Sequence, residues 1–105
     1  MILATVSGFD WDDGNRRKCE KHGVSVAEIE ELYAGTVMIL PDHGHSQEEE
    51  RFRAIATNKQ GRHVFVVFTV REHHGRRYIR PISARYMHRK EVARHEKDNP
   101  DLQER

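Results

Sequence analysis

The stretch His63–Val70, HVFVVFTV, is apolar at every position except His63 and Thr69. It is far shorter than the ~20 residues needed to cross a bilayer. Its β-branched and aromatic content predicts a central strand buried on both faces. Such a strand needs neighbours. Upstream, Arg51–Thr57 alternates Phe52, Ala54 and Ala56 against Arg51, Arg53 and Ile55. Downstream, Tyr78–Ala84 carries Ile79 near its start and Ile82 further on. Both patterns predict strands. Asn58–Gly61 and His74-Gly75 are turn segments that join the three strands as hairpins. Thr36–Leu40, closed by Pro41, is a further short β run. Met1–Trp11 alternates Ile2, Ala4 and Val6, then Phe9 and Trp11 past Gly8, as an irregular strand would.

Helical signals cluster at the two ends. Asp12 or Asp13 is a candidate N-cap for a basic segment running through His22, and Gly23 stands where a helix C-cap prefers glycine. Ser25 and Glu28 have capping-box spacing, and Val26, Ile29, Leu32 and Tyr33 recur at helical period before Gly35. His88–Lys97 is a polar, basic helix that stops before Asn99-Pro100. The predicted order is β-α-α-β-β-β-β-α. Helices grouped around a run of hairpin-connected strands imply an α+β fold with an antiparallel sheet of about four to five strands. The two early helices cover one face. At 105 residues the chain is one domain, assigned to residues 1–97, with 98–105 as a frayed tail.

Charge is distributed unevenly. The whole chain is close to neutral at +1, yet Arg71–His95 holds eight basic residues against Glu72 and Glu91, a surplus of six. Acid collects earlier, in Glu28, Glu30 and Glu31 and in Glu48-Glu49-Glu50. This layout fits either a polyanion-binding face or a solvated surface laced with ion pairs. The lone Cys19 makes no internal disulfide, and no leader or membrane segment is legible, so a cytoplasmic setting is expected. No phosphate-loop or dinucleotide fingerprint is present.

An ordered set of short motifs adds a resemblance. Phe9-x-Trp11-Asp12, Lys21-His22-Gly23-Val24-Ser25, Asp42…His45-Ser46, Glu49-Glu50-Arg51-Phe52, Val66-Val67-Phe68-Thr69-x-Arg71 and Ile79-Arg80-x-Ile82-Ser83-Ala84-Arg85 follow in that order. The chain thereby resembles the BrnT toxins over roughly residues 9–97. It departs from their pattern in a shorter 15–20 segment and in Tyr86-Met87-His88. The resemblance implies a RelE-like fold and a type II toxin that cleaves mRNA, free or ribosome-associated, as a metal-independent endoribonuclease. It further implies neutralisation by a BrnA-type antitoxin and contact with operator DNA only through that complex. No cofactor and no membrane partner are expected. The alternative is a non-catalytic partner of the same fold that binds antitoxin or operator and cleaves nothing.

Cleavage by a ribose 2′-hydroxyl needs a base, an acid for the 5′-oxygen, and cations where phosphorane charge develops. Arg85 is the first candidate for the phosphate, against a reading in which it pairs with a carboxylate such as Glu50 to hold the sheet. Arg71, facing Arg77 or Tyr78 across a hairpin, is the second. Glu50 can serve as base or orient an arginine, and His22 can serve as acid or base or simply cap its helix. Lys21, Arg51, Arg80 and Arg89 are candidate RNA contacts, and Tyr86 a stacking platform. His43-x-His45 with Asp42 and Glu48 has the chemistry of metal ligands but lacks a third ligand at fixed spacing, and no metal site is assigned. His73 and His74 read as surface.

Overall fold

The computed structural model describes residues 6–42 and 49–98. Eight elements follow the expected order: β1 (Val6–Phe9), α1 (Asp13–Glu20), α2 (Val26–Ala34), β2 (Met38–Pro41), β3 (Arg51–Thr57), β4 (His63–His73), β5 (Arg76–Tyr86) and α3 (Arg89–Asp98). The fold is α+β, with one five-stranded sheet in the order β1-β5-β4-β3-β2. Ile2 and Ala4 of the first expected strand, residues 43–46 of the expected Asp42–Ser46 loop, and residues 99–105 of the expected 98–105 tail lie outside the described residues; Asp98 belongs to α3 and not to a tail.

The apolar run forms β4, the middle strand, paired antiparallel with β3 and β5. His74 at φ 52° and Gly75 at φ 77° make the two-residue β4–β5 turn in the left-handed region that such tight hairpins require. Pairing across the sheet is not wholly antiparallel, however: β1 runs parallel to β5, with Gly8 beside Tyr78 and Phe9 beside Ile79. The sheet is therefore mixed. The chain leaves β1 into two helices rather than a hairpin, so its first strand docks on the far edge of the sheet in the direction the crossover permits.

Val64, Val66 and Phe68 of β4 are buried together with Ala54, Ala56, Ile79 and Ala84 from the flanking strands. Cys19 of α1 and Ile29 and Leu32 of α2 belong to the same cluster. Tyr33 meets Phe9 and Phe68 edge-on at 5.6 and 5.4 Å between centroids. The opposite face differs from the sequence expectation. Phe65 and Val67 are only half-buried, so β4 is fully covered on one side alone. A register shift near Val67/Phe68 leaves Ile82 without a partner between Pro81 and Ser83. Ile82 therefore does not share a buried side with Ala84, as plain alternation predicts; Pro81 and Ala84 are buried and Ile82 is half-exposed.

The first helix is fixed by its start. Asp12 accepts the Asn15 N–H, and the Asn15 side chain accepts the Asp12 N–H, a reciprocal cap. The buried Asn15 amide also donates to the carbonyls of Asp10 (3.0 Å) and Pro81 (2.7 Å). One side chain thus ties β1, α1 and β5 together. The helix stops at Glu20, before His22, and the chain turns at Gly23 with φ 86°. Ser25 caps α2 by accepting the Glu28 N–H at 3.1 Å. The Glu28 carboxylate takes other partners, accepting from Asn58 Nδ2 (3.0 Å) and from the Tyr86 hydroxyl (2.8 Å).

Replacing Asn15 by Ala strands two buried carbonyls and removes a cap. The expected cost is about 2 kcal/mol and a melting temperature lower by roughly 10 °C. Thermal unfolding followed by circular dichroism checks this; a shift within about 2 °C, well under the change expected from 1 kcal/mol in a domain of this size, would remove Asn15 from the role of peg.

Candidate functional site

α1 and α2 cover one face of the sheet; the odd-numbered side chains of β3 and β4 point to the other, which α3 meets towards the His63 end through Glu91 on Arg85 and His95 on His63. On that open face the register sets Arg51 beside Thr69 and Thr69 beside Arg80, in one row across β3, β4 and β5. With strands ~4.8 Å apart, Arg51 and Arg80 flank Thr69 at about 10 Å from each other, and Arg71 lies two residues, or ~7 Å, further along β4. Three of the arginines singled out from sequence are therefore brought together by strand register. The buried Thr69 hydroxyl donates to the Glu50 carbonyl at 2.7 Å and fixes the entry of the chain into β3.

Carboxylates surround the row. Arg80 donates to Asp12 Oδ2 at 2.7 Å and lies 3.5 Å from Asp10 Oδ1, with its side chain only 17% exposed. His73, expected at the surface, bonds the other Asp10 oxygen at 3.1 Å. Arg71 donates from Nε (3.3 Å) and Nη2 (3.1 Å) to the two oxygens of Glu49. This pair is open to solvent, with the side chains 43% and 34% exposed. The Arg71 fork holds the Glu49 carboxyl below its ordinary range, and the charges of Arg51 and Arg80 add to the effect. Asp12 is likewise held low, first by the Asn15 backbone N–H and then by Arg80.

Arg85 lies elsewhere. It stands opposite Phe65, four residues along β4 from Thr69 and six from Arg71; these spacings are ~13 and ~20 Å. Its two terminal nitrogens donate to both oxygens of Glu91 at 2.8 and 2.9 Å, and its guanidinium lies 4.9 Å from the Phe65 ring centre. The Glu91 carboxylate also accepts the His88 N–H at 2.9 Å, which caps α3. The carboxylate-paired reading of Arg85 thus describes the geometry, with Glu91 and not Glu50 as the partner. The fork from Arg85, helped by the His88 N–H, pulls the Glu91 carboxyl down to about 2.

The remaining candidates divide between the two ends. Glu50 is exposed, and lines a cavity of about 340 Å³ with Glu49, Phe52, Thr69, Val70 and Arg77. Lys21 and His22 are exposed in the turn after α1; neighbouring Gly23 faces the Tyr86 ring. Tyr86 does not offer a free platform. Arg62 lies over its ring at 3.7 Å, and its hydroxyl is committed to Glu28. Arg89 is exposed at the start of α3, beside a cavity of about 390 Å³ that His63, Met87 and Val92 also line. His22 and Arg85 therefore do not converge with Arg71. Sequence reasoning missed Glu49, Asp10, Asp12 and Glu91. Glu49 is one of three consecutive glutamates, and no spacing rule distinguishes it from Glu50. His43, His45 and Glu48 lie outside the described residues; among the described residues no three His, Cys, Asp or Glu side chains group as metal ligands. Burial raises the Cys19 thiol to about 11, which suits a packed side chain and not a nucleophile.

A basic row on an exposed part of a sheet face is a geometry that a polyanion can use. Residues 11–91 match the family described as "Ribonuclease toxin, BrnT, of type II toxin-antitoxin system". The chain belongs to the BrnT family. A search of curated proteins found no match. Membership in BrnT makes RNA the substrate and a protein antitoxin the partner. Among the described residues no helix is long and apolar enough to cross a membrane.

The depressed Glu91 carboxyl gives a testable pH dependence. A carboxyl held low in the fold stabilises it above the ordinary value of 4.5, and that contribution fades as pH falls towards about 2. Glu91→Gln is expected to unfold more easily than the parent at pH 7, with the gap constant down to the ordinary carboxyl range and closing below it. Denaturant midpoints measured across pH check this, and a gap that widens on acidification would contradict the Arg85–Glu91 account.

Proposed function

We propose that this chain is an endoribonuclease of the RelE-like type that cleaves mRNA in the cytoplasm. In this reading, the Arg51–Thr69–Arg80 row with Arg71 holds the scissile phosphate. The ribose 2′-hydroxyl gives up its proton, its oxygen attacks the adjacent phosphorus, and the bond to the 5′-oxygen breaks; that oxygen takes up a proton from solvent, leaving a 2′,3′-cyclic phosphate and a 5′-hydroxyl. Negative charge builds on the two non-bridging oxygens as five bonds form around phosphorus. A guanidinium fork matches that pair of oxygens and holds its charge at any physiological pH. Such preorganised donors commonly contribute two to three orders of magnitude in rate.

The observation that carries this reading is the gathering of three guanidinium groups from three adjacent strands around one buried threonine. Arg71 is the most accessible of the measured forks. Arg80, more deeply set and clamped by two aspartates, shapes the floor. Glu50, at the rim, is the carboxylate we assign to proton transfer from the 2′-hydroxyl. Arg85 positions α3 through Glu91 instead of touching the phosphate. Arg89 lies towards the other end of β4, where it can meet nucleotides further along a bound strand, whereas Lys21 and His22 follow α1 on the helix-covered side of the sheet, beside Tyr86. The arginines supply the charge stabilisation without a metal ion. A BrnA-type antitoxin is the proposed protein partner, and operator DNA is reached through that complex.

Expression without antitoxin is expected to arrest bacterial growth. Arg71→Ala should relieve the arrest and lower RNA cleavage by about a hundred- to a thousandfold, the range seen when a charge-stabilising donor is lost. Excess chelator should leave cleavage by the purified parent unchanged. Harmless expression, together with RNA left intact by the purified chain with and without ribosomes, would instead support a non-catalytic, antitoxin-binding role.

A further inference from the structure

The Arg71–Glu49 fork differs from the ion pairs of Arg85 and Arg80. Arg85 is locked by two short bonds to a carboxylate that also caps a helix, at 2.8, 2.9 and 2.9 Å. Arg80 is mostly enclosed, and its partner Asp12 is the cap of α1. Removing either acid would undo a helix start. Glu49 caps no helix, and its bonds to Arg71, at 3.1 and 3.3 Å, are longer than those between Arg85 and Glu91. It precedes β3, outside the strand ladder. Both its side chain and that of Arg71 are substantially exposed.

The shape of the contact is also informative. Two oxygens of a planar carboxylate sit on Nε and Nη2 of one guanidinium, the same edge that accepts two oxygens of a phosphate. The charges of Arg51 and Arg80 reach the same carboxylate. Glu49 therefore occupies the place on this face where a singly charged, two-oxygen anion meets the field of three arginines.

We infer that the Glu49 carboxylate sits in the seat of an RNA phosphodiester on Arg71, and that substrate binds by displacing it. This rests on the reading of the arginine row as the phosphate site. Exchange keeps the charge balance of the row: one monoanion leaves Arg71 and another takes its place, while Asp10 and Asp12 stay on Arg80. Glu49 is then a built-in competitor that weakens RNA binding and favours strands whose neighbouring phosphates and bases gain contacts elsewhere on the sheet.

The test is binding of a non-cleavable, fully 2′-O-methylated single strand of about ten nucleotides, within the usual range of single-strand site sizes. Fluorescence anisotropy is read at several salt concentrations for the full-length chain, E49Q, E49A and R71A. Displacement predicts that E49Q and E49A bind on the order of fivefold tighter, the effect of removing one like charge at contact distance in water. It also predicts nearly the same slope of log affinity against log salt for the parent and both Glu49 variants, since one phosphate meets Arg71 in each, and a slope shallower by about 0.7 for R71A, one phosphate contact fewer. Melting temperatures of the two Glu49 variants should stay within a few degrees of the parent, since exposed ion pairs contribute little. Unchanged or weaker binding by E49Q and E49A, with R71A still impaired, would overturn displacement while leaving the arginine row intact as the site. Unimpaired binding by R71A would overturn the row itself.

Discussion

Three guanidinium groups on one face of a sheet repel one another, and this fold holds them there by bringing carboxylates from outside the sheet. Asp10 and Asp12 arrive with the β1–α1 junction and fasten Arg80. Glu49 arrives on the approach to β3 and meets Arg71. The junction itself is secured by Asn15, whose amide bonds the carbonyl of Pro81 next to Arg80. Docking the first strand, capping the first helix and neutralising the basic row are thus one set of contacts. Because β1 runs parallel to β5, Phe9 and then Asp10 arrive beside Ile79, with the Asp10 N–H donating to the Ile79 carbonyl at 2.8 Å. That places both aspartates within reach of Arg80.

The two ends of β4 have separate work. At the Thr69 end, charge is concentrated and one partner, Glu49, is exposed enough to leave. At the His63 end, side chains are committed to packing: Arg62 covers Tyr86, Tyr86 bonds Glu28, Glu28 bonds Asn58, and Asn58 accepts the Arg62 N–H at 2.8 Å. That closed ring of contacts fastens the β3–β4 turn to α2. His95 of α3 leans edge-on against His63 at 5.8 Å, and burial, then the neighbouring imidazole, lowers its affinity for a proton. On the face of the arginine row, an RNA strand bound as proposed would have Arg85, fixed to α3 through Glu91, at one end and the exchangeable Glu49 at the other.

Much of this was legible in the residues. The apolar run of β4, the alternation of β3 and the capping of both early helices by Asp12 and Ser25 fix local structure through contacts near in sequence. The facing of Arg71 and Tyr78 follows from a two-residue turn at His74-Gly75. What depends on distant segments was not legible. Nothing in Val6–Phe9 says that it will lie parallel to β5, and although the apolar positions of β5 change parity between Ile79 and Ile82, the residues do not say which of them the ladder will leave unpaired. Arg85 and Arg71 look alike as strand-end cations, yet one is closed by a helix cap and the other by an exposed glutamate. Which carboxylate each arginine finds is decided by tertiary packing, and so was the separation of His22 and Arg85 from the row.

The central claim is that RNA phosphate binds where Arg51, Arg71 and Arg80 meet around Thr69. Side-chain Nε–H resonances of the arginines, followed by NMR as non-cleavable RNA is added, test it most directly. The account predicts the largest shifts at Arg71, Arg51 and Arg80 and at the Thr69 amide, with the Arg85 signal nearly still. Shifts centred on Arg85, Arg62 and α3, with Thr69 unmoved, would contradict it.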